Sequence, residues 1–294
     1  MLPTPEPRES GFTTSTEVPL YWARYGTPGG APFVVLHGGP GADHGYLLPQ
    51  MLALAGDSRD LVFYDQRGGG RSATHDRTLI TWQTQVGDLA ALMAELDVFP
   101  FTLVGFSWGA MLAMLYSIRV ASERIGPMPG ALVLIDPAPI SRPFRDRFET
   151  EFKRRQSSPR IRAMRDELTA SGLRERDPEV YRQRAFELSV AGYFANPDRA
   201  RNLTPFRVVG RVQQSVWSSL SDFDLTRPGM LDAVKAPALI THGRQDPIPF
   251  ESSQAAAAAL HARLVILEDC GHVPYVEQPT QLFPAIEAFL SESR

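Results

Sequence analysis

Apolar residues along this chain come in short, dense runs rather than long stripes. Phe33-Val-Val-Leu36, Leu61-Val-Phe-Tyr64, Phe101-Thr-Leu-Val104, Ala131-Leu-Val-Leu-Ile135, Ala238-Leu-Ile240 and Leu264-Val-Ile-Leu267 are each followed closely by Gly, Pro or Asp. A continuous apolar run of this length predicts a strand buried on both faces of a parallel sheet. Leu20 to Tyr25 predicts an earlier strand, part of an antiparallel edge. Between the runs the spacing changes to that of helices. Val86, Leu89, Ala90, Met93 and Leu96 define one over 81–96, Met111, Leu112, Met114, Leu115 and Ile118 a second over 109–119, and Leu282, Phe283, Ile286, Phe289 and Leu290 a third over 280–290. Strands alternating with helices predict the α/β class: a mostly parallel central sheet flanked by helices.

The rhythm breaks after Pro137. From there to about Arg227 the chain lacks strong strand runs, is rich in arginine and carries breakers at Pro143, Pro159, Gly172, Pro178, Pro197 and Pro205. The strand pattern resumes near Pro237. The expected organisation is therefore an α/β core formed by 1–137 and 228–294, with 138–227 inserted as a helical cap, or lid. A chain of 294 residues accommodates one large core with such an insertion.

Composition removes several function classes. A formal net charge of -3 gives no electrostatic basis for binding nucleic acid or an anionic membrane. Apolar runs such as Ala255–Leu260 are far too short to cross a bilayer. The stretch from Met1 to Glu17 shows no basic patch followed by an apolar segment, so no secretory signal is expected and the reading is cytoplasmic. Cys270 is the single cysteine, which excludes an internal disulfide, and no Cys/His cluster has metal-ligand spacing. The expected partner is a small-molecule or short-peptide substrate, with no metal or cofactor required; the oligomeric state is left open.

The chemistry concentrates at strand ends. Gly105-Phe-Ser107-Trp-Gly109 lies between a predicted strand and a predicted helix. A serine there sits on a sharp turn that demands small neighbours, and the amide after it points towards a reacting carbonyl. His37-Gly-Gly-Pro-Gly41 directly follows another strand, so the amide of Gly39 can join that of Trp108 as an oxyanion hole. His37 itself reads as a loop brace. Of six histidines, His272 falls after the last predicted strand, where the order Ser…Asp…His puts the general base. Asp246, in the loop after the Ala238–Ile240 strand, is the first candidate for the acid; Asp136 is its rival, and Asp269 is too near His272 in sequence to reach the ring's far nitrogen.

Taken together, His37-Gly-Gly-Pro-Gly41, Asp65-Gln-Arg-Gly-Gly-Gly-Arg-Ser72 and Ser107-Trp-Gly109 resemble the proline iminopeptidase family of α/β-hydrolases. The resemblance covers roughly 21–137 and 237–289. It implies an α/β-hydrolase fold, a Ser107, Asp246 and His272 triad, and an aminopeptidase that releases an N-terminal residue, often proline. Asp65, Arg67 and Arg71 are expected to brace loops near the site. The chain departs from the family in two places. Phe106 stands where a glycine is common, and the Trp-rich lid stretch with an amine-binding glutamate is absent. Glu187 is the candidate for that glutamate, with Glu149 and Glu151 behind it. An apolar lid lining drawn from Phe144, Phe148, Phe186, Tyr193 and Phe194 would instead favour an esterase, lactonase or non-peptide amidase using the same triad.

Overall fold

A computed structural model describes residues 5–75 and 78–292. The first residues of the stretch read above for a signal, 1–4, lie outside them. Eight strands form one sheet: β1 (Glu9–Phe12), β2 (Tyr21–Gly26), β3 (Ala31–Leu36), β4 (Arg59–Tyr64), β5 (Thr102–Phe106), β6 (Ala131–Ile135), β7 (Ala238–Gly243) and β8 (Arg263–Leu267). Their spatial order is β1-β2-β4-β3-β5-β6-β7-β8. β1 and β2 pair antiparallel, as do β2 and β4, and every later neighbour is parallel. The predicted runs all form strands, with ends moved by a few residues. β1 was not anticipated, because Glu-Ser-Gly-Phe is short, largely exposed and carries no alternation.

Helices α1 (Trp82–Glu95) and α2 (Trp108–Glu123) cross from β4 to β5 and from β5 to β6; α8 (Phe250–Leu260) crosses from β7 to β8. Between β6 and β7 the chain is helical: α3 (Arg142–Gln156), α4 (Pro159–Ala170), α5 (Leu173–Arg176), α6 (Pro178–Val190) and α7 (Gly210–Ser218). Short α9 (Pro274–Glu277) and α10 (Pro279–Glu292) follow β8. Thr81 starts α1 with a reciprocal cap, its hydroxyl accepting from the Thr84 amide at 3.1 Å while the Thr84 hydroxyl accepts from the Thr81 amide at 3.0 Å.

Successive strand residues point to opposite faces, so every central strand feeds two cores. Val34, Leu36, Leu103, Leu132 and Ile240 pack beneath α1, α2 and α8. Phe33, Val35, Val104, Val133 and Leu239 pack against 3-10 turns at His44–Leu47 and Gln50–Ala55, and against α10. Covering both faces is what lets these strands be continuously apolar. It also leaves the C-terminal strand ends, where the parallel strands enter their loops, as the place for a site. Among the described residues, no helix is long and apolar enough to cross a membrane.

Candidate active site

Ser107 occupies the turn between β5 and α2 with φ 54° and ψ -116°, a conformation a non-glycine residue adopts only under constraint from its surroundings. The constraint is visible. The Ser107 amide donates to the Ile135 carbonyl at 2.9 Å, and its own carbonyl accepts from Ala138 at 3.0 Å. The flanking glycines are a packing necessity: a Cβ at Gly109 would lie 2.1 Å from the Leu36 carbonyl oxygen, and one at Gly105 would lie 2.4 Å from that of Gly109.

Three loops converge on this turn. His272, in the loop after β8, places Nε2 at 2.9 Å from Ser107 Oγ and Nδ1 at 2.7 Å from Asp246 Oδ2. A carboxylate only accepts, so Nδ1 carries the proton and Nε2 is free to accept from the serine hydroxyl. Asp246, after β7, is oriented by the Ile248 amide, which donates to its other oxygen at 2.7 Å. Burial works against the charge of Asp246, but the neighbouring His272 imidazole and its hydrogen bond, with His242 and the Ile248 amide, hold its carboxyl below the usual range. The rival Asp136 is fully buried at the end of β6. It accepts from the Gly243 amide at 2.7 Å and the Thr241 hydroxyl at 3.2 Å. Burial and the neighbouring Asp246 charge push its carboxyl well above the usual range. The donor atoms of Asp136, Asp246 and His272 lie within 4.8 Å of one another, a grouping that could hold a cation, but each already has protein partners.

Phe106, the departure at the elbow, also has a contact of its own. Its ring lies 5.2 Å from the His272 imidazole and meets Tyr275 edge-on at 5.1 Å. Tyr193 covers the imidazole as well, with centroids 5.2 Å apart and planes at 31°.

Gly39, with φ 60°, and Trp108 line the same cavity as Ser107. Trp108 is the first residue of α2, so its amide has no acceptor within the helix. His37 braces this loop: its Nε2 accepts from the Gln66 amide at 3.1 Å and its carbonyl accepts from the Gln66 side chain at 2.8 Å. The Gln66 side chain in turn accepts from the Trp108 indole at 2.9 Å. Asp65 ties the same region, accepting from the His44 ring at 2.7 Å and from the Arg71 amide at 2.8 Å. Arg67 grips Asp88 with two hydrogen bonds of 2.7 Å.

The cavity above Ser107 has a volume of ≈ 400 Å³. Phe148 and Phe152 of α3, Phe186 and Val190 of α6, Trp217 of α7, and Tyr193 and Phe206 from the segment between α6 and α7 line it. Among the described residues, no Asp, Glu, Lys or Arg lines it, and His272 is the single titratable imidazole there. Phe148, Phe186 and Tyr193 were expected in this lining, whereas Phe194 is buried in the core on one face of the sheet and Phe144 packs against the core on the other. Phe152, Phe206 and Trp217 escaped the sequence reading because nothing local says which face of a helix meets a strand end.

Glu187, the candidate for binding a substrate amine, is not among the residues that line the cavity. It is buried on α6, where its carboxylate accepts from Arg184 at 2.9 Å and Gln183 at 3.2 Å. A helix places residues three and four apart on one face, so partners on its own helix capture this carboxylate. Glu149 and Glu151 are likewise held by Arg145, Arg154 and Arg155 on α3.

Comparison with known proteins agrees with the architecture. Residues 33–285 match the model of the Alpha/beta hydrolase family. A proline iminopeptidase of Heyndrickxia coagulans is 28% identical over 280 residues, covering 90% of this chain and 91% of its own. Among solved structures, a proline iminopeptidase-related protein from Thermus thermophilus superposes with a TM-score of 0.72 at 21% identity, over 96% of this chain and 97% of that one. The enol-lactonase from Burkholderia xenovorans superposes with a TM-score of 0.64 at 21% identity, over 96% and 100%. The chain thus belongs to the Alpha/beta hydrolase family.

Proposed function

We propose that this protein is a serine hydrolase acting on uncharged, apolar acyl substrates: esters, lactones or non-peptide amides. The uncharged, aromatic lining of the cavity carries this reading. A protonated amine brought into such a cavity loses its hydration and gains no ionic partner, whereas an apolar acyl group gains from leaving water. In this reading residues 138–227 form a cap over the core and supply most of that lining.

The chemistry follows from the geometry. Ser107 Oγ attacks the acyl carbon while His272 Nε2 takes the hydroxyl proton. Asp246 holds the proton-bearing Nδ1 and stabilises the imidazolium without taking its proton. The carbonyl oxygen, now negative, rests on the amides of Gly39 and Trp108. His272 then returns the proton to the leaving alcohol or amine. Water, deprotonated by the same nitrogen, then attacks the acyl carbon; the bond to Ser107 Oγ breaks, the imidazolium returns its proton to that oxygen, and the acid leaves.

A second reading has its own support. The curated relatives are named proline iminopeptidases, so release of an N-terminal proline is the competing activity. In this cavity the amine would have to be held by neutral acceptors. The test compares kcat/KM for p-nitrophenyl butyrate and proline β-naphthylamide in the wild type and in Ser107→Ala. Ester turnover that depends on Ser107, with the proline amide at least about a hundredfold poorer, supports the acyl-hydrolase reading. Efficient release from the proline amide replaces it with the aminopeptidase.

A further inference from the structure

Glu277 is a buried carboxylate that the acyl-transfer chemistry does not use. It is the last residue of α9 and only 2% exposed. Carboxylates are almost never found so deep unless hydrogen bonds replace their hydration. Here the replacements come from two separate parts of the chain. One oxygen accepts from the Gly271 amide, immediately before His272, at 2.7 Å. The carboxylate also accepts from the amides of Ala195 at 3.1 Å and Asn196 at 3.2 Å, which belong to the cap.

Further ties run in parallel. The His272 amide donates to the Tyr193 carbonyl at 2.7 Å, and the Arg199 guanidinium donates to the Glu277 carbonyl at 2.8 Å. The strap from Tyr193 to Asn196 lies so close to the base loop that a Cβ on Gly271 would stand 2.2 Å from the Tyr193 carbonyl oxygen. The same strap carries the Tyr193 ring that covers the imidazole. None of these contacts touches the reacting atoms, yet together they fix the backbone on which the imidazole rides.

We propose that Glu277 is a positioning residue for the general base, locking the His272 loop to the Tyr193–Asn196 strap so that the imidazole is correctly aimed only while the cap is seated. The proposal rests on reading Ser107 and His272 as nucleophile and base, and not on which acyl group is cleaved. Its physical reason is that a small error in the His272 position costs rate rather than binding. Displacing a catalytic group by about 1 Å lowers turnover by about a hundredfold.

The experiment uses the full chain as wild type, Glu277→Gln and Ser107→Ala. Competent sites are titrated with a fluorophosphonate, and kcat and KM for p-nitrophenyl acetate are then expressed per titrated site. The side-chain amide introduced by Glu277→Gln turns a donor towards backbone N–H groups that need an acceptor. The expected result is a kcat per site about 10- to 100-fold lower, with KM within about threefold of wild type and a matching slowing of labelling. A kcat per site within about twofold of wild type, with activity lost only through fewer competent sites, overturns the proposal and leaves Glu277 a fold-supporting residue. Should Glu277→Gln fail to fold, Arg199→Met removes a cap-side tie while keeping the carboxylate. A drop of about two- to tenfold per site supports the proposal, and no drop overturns it. Absence of Ser107-dependent labelling in the wild type would instead overturn the serine-hydrolase reading itself.

Discussion

His272 Nε2 lies 2.9 Å from Ser107 Oγ, although 165 residues separate them in the chain. No local interaction brings them together. Parallel strands deliver both loops to the same sheet edge, and the turn at Ser107 lifts its hydroxyl towards the imidazole. If these groups act as proposed, Ser107→Ala or His272→Ala lowers kcat by roughly four to six decades, and Asp246→Asn by about four. The checks are kcat under saturating ester and a melting temperature close to wild type. Near-normal turnover in any of these folded variants would remove that residue from the mechanism.

Asp136 gives a pH-dependent prediction. Burial first, and the Asp246 charge second, raise its carboxyl well above the usual range in the folded protein. In the unfolded chain it ionises above pH ~4. The folded state therefore binds the extra proton, and the stability linked to this group is fully present below pH ~4 and is lost as pH rises towards the folded value. Asp136→Asn has no carboxyl to ionise, and its side-chain oxygen can still accept from the Gly243 amide. Its melting temperature is expected to exceed that of wild type at pH 7 to 8, with the gap closing near pH 4. A gap independent of pH would contradict this assignment.

Glu187 separates the two substrate readings. Because Arg184 and Gln183 already occupy its carboxylate, Glu187→Gln should change KM for both an ester and a proline amide by less than about threefold. A tenfold or larger rise confined to the free-amine substrate would restore Glu187 as an amine site and the aminopeptidase with it.

Arg67 tests the bracing of the loop after β4. Its side chain and that of Asp88 are 4% and 5% exposed, so truncating one leaves the other charge buried without its partner. Arg67→Ala is expected to cost about 3–5 kcal/mol in urea unfolding, well beyond the ~0–1 kcal/mol of an exposed pair. A loss under ~1 kcal/mol would mean that the site tolerates the unpaired carboxylate through rearrangement.

Much of the fold and the outline of the site could be read from the sequence. Runs such as Ala131–Ile135 announce buried strands because a two-sided sheet leaves no room for polar residues. Gly105 and Gly109 announce the elbow because their close approaches exclude a Cβ. The positions of Asp246 and His272 after successive strands follow from the same regularity, since a parallel sheet brings such loops to one edge. Short β1 gave no such signal, since an exposed edge strand is held by its partner β2 rather than by an apolar pattern.

Other features were decided only by the tertiary structure. Whether a carboxylate between β6 and β7 lines the cavity depends on helix rotation and competing partners, and Glu187 is paired with Arg184 on its own helix. The aromatic lining depends on how α3, α6 and α7 descend onto the strand ends. The link from Glu277 to Ala195 spans 82 residues and is made through backbone amides. A side chain's own sterics and periodicity are local and therefore legible in sequence. Which distant amide or charge satisfies it is settled only when separate loops meet, because every residue carries the same N–H and nothing in its identity marks the one that will be used.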